Sequence, residues 1–327
     1  MQLHSNDRTN RISPDSSGWL VTRRVFLNAS AGLLAGAGIS QLSCAVEPFS
    51  ATGRGACRFG IVTDCHYADA DTRNERYYRQ SLEKLAECVE LMNAEKVDFL
   101  IELGDFKDEN EEPVEEKTIA HLRAIEQVFR KFTGATYYVL GNHDMDSISK
   151  EQFMANVENT GIDPTKTYYS FDCKGGHFVV LDANYREDGV DYDHGNFDWT
   201  SANIPQHELD WLSKDLAHAR GSVIVFIHQL LAGVDSHRVK NAREVRSILE
   251  SSGKVAAVFQ GHKHKGMYTQ IEGIHYYALK ALVEGSGEEN NAYAIVELLM
   301  NGDIIVTGYR RAESRRMAPA SLSPVSS

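Results

Sequence analysis

The amino-acid sequence predicts an α/β fold in which two mixed β-sheets pack against each other and are flanked by helices. From residue 58 onward, short apolar runs alternate with helical patterns. The order is βαβαβ in the first half and mostly β, with two helices, in the second. The 327 residues are 42% hydrophobic and 24% charged, which excludes a disordered chain, a collagen and a polytopic membrane protein.

The first half of the predicted domain alternates strands with amphipathic helices. Leu82, Leu85, Val89 and Met92 recur at helical spacing, which predicts a helix over residues 75–93. A second helix is predicted over residues 114–132. The predicted strands of this half are residues 58–63, 97–103 and 135–140.

The second half begins with a predicted hairpin, residues 168–171 and 177–181, that turns over Gly175 and Gly176. Pro205 opens a helix with Leu209, Leu212 and Leu216 on its core face. The polar, acidic and aromatic residues 184–204 form a segment too long for an ordinary turn and predict a surface loop. The remaining predicted strands are residues 222–227, 255–260, 268–271, 275–279, 292–299 and 304–309.

The charge balance limits the kinds of partner. With 34 Lys and Arg against 46 Asp and Glu, the net charge is −12. No surplus of cations is available to neutralise phosphates along a nucleic acid, so no nucleic-acid surface is expected. The five cysteines show no paired spacing and indicate no disulfide framework.

The N-terminus carries a targeting pattern. Residues 22–27 contain Arg23 and Arg24 before an Ala- and Gly-rich apolar run over residues 25–39. At about 1.5 Å per residue this run is too short to cross a hydrocarbon core of about 30 Å. The pattern resembles a twin-arginine export signal; an amphipathic N-terminal helix or tail is the alternative.

The export signal is assigned to residues 1–45, with cleavage after Ala45 or, as a weaker option, lipid anchoring at Cys44. The resemblance implies export by the twin-arginine machinery and a periplasmic or extracellular location. Residues 46–57 are then a linker, residues 58–310 the folded domain, and residues 311–327 a flexible C-terminal tail.

Five short motifs fall where predicted strands stop, so their side chains are expected at one edge of the sheets. In chain order the motifs are Asp64-Cys65-His66, Gly104-Asp105, Gly141-Asn142-His143-Asp144, His228, and Gly261-His262-Lys263-His264. Carboxylate, amide and imidazole ligands suit Mn, Fe, Zn or Co. Two such ions about 3.5–4 Å apart clamp a phosphate and lower the pKa of a bound water.

The ordered set of motifs resembles the calcineurin-like metallophosphoesterase superfamily. The resemblance implies the four-layer α/β/β/α metallo-dependent phosphatase fold. Within that superfamily, the sequence most resembles the Mn-dependent ADP-ribose/CDP-alcohol diphosphatase branch. The segments that carry this closer resemblance are residues 59–69, 76–82, 181–183, 207–212 and 261–284. Two departures stand out: that branch often has Gln at the position of His66, and the loop at residues 184–204 is shorter here.

The resemblance implies a role for each motif residue. The first metal ion is expected on Asp64, His66, Asp105 and His264, and the second on Asp105, Asn142, His228 and His262. His143 matches the residue that contacts the phosphate and protonates the leaving oxygen. Asp108 is a candidate for orienting His143, with Asp144 as its competitor, and Arg76 and Tyr77 are candidate substrate contacts.

The implied activity is hydrolysis of a phosphodiester or phosphoanhydride bond by a metal-bound hydroxide, with a small phosphorylated substrate such as ADP-ribose or a CDP-alcohol. Cyclic-nucleotide phosphodiesterase and broad phosphomonoesterase activities are the alternatives within enzymes. A binding module that retains metals without turnover is the alternative outside them.

Overall fold

The computed structural model describes residues 57–233 and 236–319. The predicted export signal, its cleavage site after Ala45 and the candidate lipid anchor Cys44 lie outside the described residues. No helix in the described ranges combines the length and the apolar character that a membrane crossing requires.

The first sheet joins three parallel strands from the N-terminal half to three antiparallel strands from the C-terminus. Its order is β12-β11-β10-β1-β2-β3. The strands are β1 (Cys57–Val62), β2 (Phe99–Glu102), β3 (Ala135–Tyr138), β10 (Ala292–Leu298), β11 (Ile304–Arg310) and β12 (Arg315–Met317). Strands β1, β2 and β3 are parallel, and β10 runs antiparallel to β1. The sheet is therefore mixed, as predicted.

The second sheet is also mixed and has the order β4-β5-β6-β7-β9-β8. Its strands are β4 (Tyr169–Cys173), β5 (Gly176–Val180), β6 (Val223–Ile227), β7 (Val255–Gln260), β8 (Met267–Ile271) and β9 (Ile274–Ala278). Strands β5, β6, β7 and β9 are parallel, whereas β4 and β8 close the two ends as antiparallel hairpins. We call the edge where the parallel strands end the carboxyl edge, and the opposite one the amino edge.

Within residues 57–233 and 236–319, five helices flank the sheets: α1 (Ser81–Glu95), α2 (Glu115–Phe129), α3 (Lys150–Met154), α4 (Gln206–His218) and α5 (Ala242–Ser252). Alternation along β1 shows how the layers form. Phe59 and Ile61 face the core between the sheets, where Phe59 stacks on Phe99 at 4.7 Å between ring centroids. Val62 packs instead with the helix α1 side chains. The predicted four-layer α/β/β/α sandwich is confirmed.

Two helices were not located from the sequence pattern. Helix α3 has only five residues and is set by a capping box between Ser149 and Gln152. Helix α5 buries Ala242, Val245 and Leu249 on one face and ends at Gly253. Helix α3 is too short to show a helical period, whereas the buried apolar positions of α5 do follow one and were overlooked.

The C-terminal prediction needs a correction. Within the segment expected to be a flexible tail, residues 311–327, β12 pairs with β11 in register Ile304 to Met317. Met317 is 1% exposed and belongs to the core between the sheets. The folded domain therefore extends past residue 310, because one apolar side chain and a short ladder are enough to add an edge strand.

Residues 184–204 are only partly the surface loop that the sequence predicted. Tyr192 is fully buried and stacks on Phe197 at 4.0 Å between ring centroids. A short 3-10 helix, Trp199–Ser201, follows. The aromatic residues of the segment thus anchor it to the domain.

Candidate metal centre

The predicted ligands converge at the carboxyl edge of both sheets. Each follows a strand: β1, β2 and β3 in the first sheet, and β6 and β7 in the second. Six of them are buried: Asp64, His66, Asp105, Asn142, His228 and His262. His264 is 13% exposed at its side chain.

Backbone strain accompanies this convergence. Asp64, His66, Asp105 and His262 adopt positive φ angles of 52°, 46°, 58° and 63°, a region that non-glycine residues rarely occupy. Cross-loop hydrogen bonds hold the strain: the Asp64 N–H donates to the Gly104 carbonyl at 3.0 Å, and the His66 N–H to the Asp105 carbonyl at 2.8 Å. Residues held in such sparsely populated conformations cluster at functional sites.

Two adjacent groups of ligand atoms result. In the first, Asp64, His66 and His264 offer atoms within 4.8 Å of one another, as do Asp105, His228 and His262 in the second. Asp105 links the groups, because its Oδ2 lies 3.1 Å from His228 Nε2 and 3.5 Å from His66 Nε2. A shared carboxylate at the centre is the arrangement predicted from the sequence.

The unpartnered donors of the site fit divalent cations. In the described part of the chain, the buried Asn142 Oδ1 and His262 Nε2 have no hydrogen-bond partner. A buried polar atom without a partner costs about 1–3 kcal/mol, so both are suited to a metal ligand role. Carboxylate oxygens, amide oxygens and imidazole nitrogens are donors that borderline divalent ions accept, so this ligand set fits such ions.

Three imidazoles are oriented through their other ring nitrogen. His66 Nδ1 lies 3.0 Å from Asp108 Oδ2, and His264 Nδ1 lies 2.7 Å from Glu284 Oε1. His228 Nδ1 lies 2.8 Å from the Leu103 carbonyl. Such contacts set the tautomer and leave Nε2 free to ligate.

The structure places His143 and Asp108 differently from the prediction that paired them. His143 is 27% exposed at its side chain, and its Nδ1 lies 2.7 Å from Asp146 Oδ2 but 3.7 Å from Asp108 Oδ1. Asp108 is nearer to His66. Sequence reasoning missed Asp146, although its spacing of three residues from His143 is the available signal.

Asp144, the competing candidate, contacts backbone instead. Its carboxylate accepts hydrogen bonds from the N–H groups of Gly141 at 2.8 Å, Phe106 at 3.0 Å and Asp105 at 3.1 Å. Asp144 therefore ties the β2 loop to the β3 loop. Burial, followed by the charge of Asp105, raises its pKa to about 7.

The charges of the centre are mutually dependent. Burial alone would raise the pKa of Asp64 and Asp105, but the surrounding imidazoles lower both well below the ordinary value. For His143, burial acts to lower the pKa, and the carboxylates of Asp146, Asp108 and Asp105 outweigh it and raise the pKa well above the ordinary value. Burial lowers the pKa of His262, and the neighbouring His228 adds to the effect.

Two cavities open beside the centre and share Arg76 and His143. The smaller, about 460 Å³, reaches the ligands and is also lined by Trp199, His237 and Lys263. The larger, about 790 Å³, extends away and is lined by residues 69–74, Arg76, Tyr78, Arg79 and residues 108–112. Arg76 Nη1 lies 3.6 Å from Asp108 Oδ2, and Tyr78, rather than the predicted Tyr77, is in the described wall.

Trp199 and His237 are cavity residues that the sequence analysis did not assign to the site. The Trp199 ring centroid lies 5.5 Å from that of His262 and 5.4 Å from that of His237. Trp199 is 41% exposed. A tryptophan in a long polar loop is the only signal that the sequence offers for it.

The fold and the centre together define a metal-dependent hydrolase. Residues 57–266 match the family described as calcineurin-like phosphoesterase, and the chain belongs to that family. Divalent metal ions are the cofactors of this class.

Several proteins with a stated activity or a solved structure are similar to this chain. A manganese-dependent ADP-ribose/CDP-alcohol diphosphatase of Arabidopsis thaliana is 27% identical over 270 residues, covering 69% of this chain and 86% of the relative. A probable cyclic nucleotide phosphodiesterase of Fibrobacter succinogenes is 24% identical, covering 66% of this chain and 75% of the relative. The crystal structure of a dimetal phosphatase from Danio rerio shares the fold, with a TM-score of 0.70 at 21% identity over 81% of this chain and 100% of that one.

Proposed function

We propose that the protein hydrolyses the phosphoanhydride bond of small nucleoside-diphosphate-linked molecules such as ADP-ribose or CDP-alcohols. The observation that carries the proposal is the pair of ligand groups linked by Asp105, with His143 beside it at the cavity wall. The names of the relatives in Arabidopsis thaliana and Oryza sativa support the substrate class.

The two ligand groups would hold two divalent ions. Asp64, His66, Asp105 and His264 form the first ligand set, and Asp105, Asn142, His228 and His262 form the second. Bound ions of this kind neutralise phosphoryl oxygens and activate a water for in-line displacement. The chain's own contribution is to hold the donors rigidly through Asp108, Glu284 and the Leu103 carbonyl.

His143 is suited to donate a proton to the leaving oxygen. Asp146 accepts the Nδ1 proton, so Nε2 is the nitrogen left to act. The neighbouring carboxylates raise the pKa of His143 although its side chain is partly buried, which favours the protonated form that a general acid needs. The backbone N–H of His143 also donates to Asp105 Oδ1 at 2.8 Å, which fixes the main chain of His143 beside the shared carboxylate.

The two cavities suit a substrate with two organic ends. Arg76 lies where they meet, next to His143, and can contact a diphosphate between them. Trp199 offers an aromatic face on the side of the smaller cavity. A substrate with a single small ester group would leave the larger cavity unused.

The test is a substrate panel on metal-reconstituted protein: ADP-ribose, CDP-choline, cyclic AMP and p-nitrophenyl phosphate. ADP-ribose or CDP-choline is expected to give the highest kcat/KM. A clear preference for cyclic AMP would favour the second candidate, which the relative from Fibrobacter succinogenes supports. A preference for p-nitrophenyl phosphate would indicate a phosphomonoesterase.

A His143→Ala variant tests the reaction class against a metal-retaining binding module. General acid catalysis contributes about 10²–10⁴-fold, so kcat is expected to fall by that factor while bound metal is unchanged. His218→Ala, at an exposed position near the end of α4, is the matched control. No activity of the parent with added Mn, or equal activity of His143→Ala, would overturn the hydrolase proposal.

Export through the twin-arginine machinery is also proposed, to a periplasmic or extracellular location. The support is the pattern around Arg23 and Arg24 in residues 1–45. A reporter fused to this segment is expected to leave the cytoplasm, and Arg23→Lys with Arg24→Lys should retain it there.

A further inference from the structure

Two cysteines from different sheets meet at the amino edge, away from the metal centre. Cys57 is the first residue of β1, and Cys173 is the last residue of β4, opposite Gly176 at the start of β5. The two thiols and a carboxylate oxygen of Asp98 lie within 4.8 Å of one another. Nothing in the proposed hydrolysis uses this cluster.

We propose that Cys57 and Cys173 form a disulfide that joins the two sheets when the protein meets a disulfide oxidant. The residues are far apart in the chain, so their proximity is created by the packing of the sheets. Cys57 is fully buried, whereas Cys173 is partly exposed on an edge strand. An S–S bond of about 2.05 Å would bring the two sulfur atoms closer than they now lie, by side-chain rotation and movement of the edge strand β4.

A bound metal ion explains the cluster less well. Asp98 Oδ1 is paired with Lys174 Nζ at 2.6 Å, and Asp98 Oδ2 accepts the Arg58 N–H at 2.9 Å. Both carboxylate oxygens are therefore engaged, and two thiols remain as donors. A structural zinc site takes four ligands, so the cluster is incomplete for it.

The order of the thiol reactions follows from accessibility. Burial raises the pKa of both thiols, and Cys173 reacts first because it is partly exposed whereas Cys57 is buried. The Cys173 thiolate attacks one sulfur of oxidised glutathione and releases one glutathione thiolate. The Cys57 thiolate then attacks the Cys173 sulfur of this mixed disulfide and displaces the second glutathione thiolate. The two protein thiols lose two protons and two electrons, and the oxidant is reduced to two thiols.

The disulfide would stabilise the sandwich without entering the active site. It closes a loop from residue 57 to residue 173, which restricts the unfolded chain. Both residues lie at the edge opposite the ligands, so hydrolysis is expected to be the same in the oxidised and reduced protein. The bond also suits a protein that works in an oxidising compartment.

The experiment uses the full chain, purified reduced and then treated with oxidised glutathione. Free thiols are expected to fall from five to three, and a non-reduced digest should contain a Cys57–Cys173 linked peptide. The unfolding temperature should rise on oxidation by roughly 5–15 °C. Cys173→Ser should lose this rise, and Cys88→Ala, which leaves the pair intact, should keep it.

Each comparison is made between oxidised and reduced samples of the same variant, so a general loss of stability does not affect it. Five free thiols after oxidation would overturn the proposal. So would a linkage to Cys44 or Cys88 in place of the pair, or one equivalent of zinc that is lost in Cys57→Ser. These readouts do not depend on hydrolase activity.

Discussion

At the scale of single residues, the contact made by one ring nitrogen of each imidazole decides what the other ring nitrogen can do. Asp108 holds His66, Glu284 holds His264, and Asp146 holds His143. The first two act on proposed metal ligands, and the third acts on the proposed acid. Carboxylates of the same type therefore serve different steps, according to the ring they face.

Because the two carboxylates face different imidazoles, substitutions at Asp146 and Asp108 should have different effects. Asp146→Asn removes the charge that helps to raise the pKa of His143, so kcat should fall about 10–100-fold with metal content unchanged. The basic limb of the pH–rate profile should also move to lower pH. Asp108→Asn should instead weaken metal binding about 10–100-fold, because it loosens His66.

The measurements are kcat across pH and metal content after dialysis, for both variants beside the parent. If Asp108→Asn retained its metal and lost more kcat than Asp146→Asn, Asp108 would be the residue that orients His143. That result would restore the assignment made from the sequence.

At the scale of elements, the segment of residues 184–204 brings Trp199 into the wall of the smaller cavity, the one that reaches the metal ligands. Trp199→Ala is expected to raise KM for ADP-ribose or CDP-choline about 3- to 10-fold through loss of aromatic stacking, with kcat little changed. Trp199→Phe should recover most of the affinity. Turnover of p-nitrophenyl phosphate, which reaches less of the cavity, is the control; an equal loss there would indicate a general disturbance of the site.

Helix α2 is joined to β3 by a partly buried polar contact, in which the Tyr138 hydroxyl donates to Glu126. Burial raises the pKa of Glu126 from 4.5 to about 7. The folded protein thus binds this proton more tightly than the unfolded chain, and the free energy of unfolding falls as pH rises through this range.

Glu126→Gln removes that titration and keeps an oxygen for Tyr138. Relative to the parent, the variant should gain about 1–3 kcal/mol of stability between pH 5 and pH 8, a figure discounted for partial exposure. Urea unfolding at several pH values measures it. Parallel stability curves for the two proteins would show that Glu126 has an ordinary pKa in the folded state.

The elements also show what could be predicted from the sequence. Strand β7 has the predicted bounds, and α4 buries the predicted Leu209, Leu212 and Leu216, because periodicity reports directly on burial. Strand β12 has three residues and owes its place to pairing with β11. Trp199 was missed for a related reason, because its place beside His262 is set by how the loop folds back, which no local pattern encodes. Asp146 had a local signal, its spacing of three residues from His143, but that spacing alone did not distinguish it from Asp144 and Asp108.

At the scale of the whole molecule, an acidic protein is proposed to bind an acidic substrate. The net charge of −12 would repel a diphosphate at long range. Bound dications reverse the sign of the local field, and Arg76, Lys263 and Lys265 line the cavity beside them. Net charge therefore describes the surface, and the ligand set decides what enters the site.

The buried ligand set also ties metal binding to global stability. Asp64 and Asp105 are almost fully buried, so ions that bind only the folded chain should stabilise it. At a concentration 100 times the dissociation constant, one such ion contributes about 2.7 kcal/mol to the free energy of unfolding, which is roughly 5–11 °C in unfolding temperature.

Chelation should abolish hydrolysis and lower the unfolding temperature, and Mn²⁺ should restore both over the same concentration range. Asp105→Asn, which alters both ligand groups at once, should respond to Mn²⁺ far less than the parent. If chelation left turnover intact, or if Mn²⁺ restored it without any thermal shift, the buried carboxylates would not be the metal site.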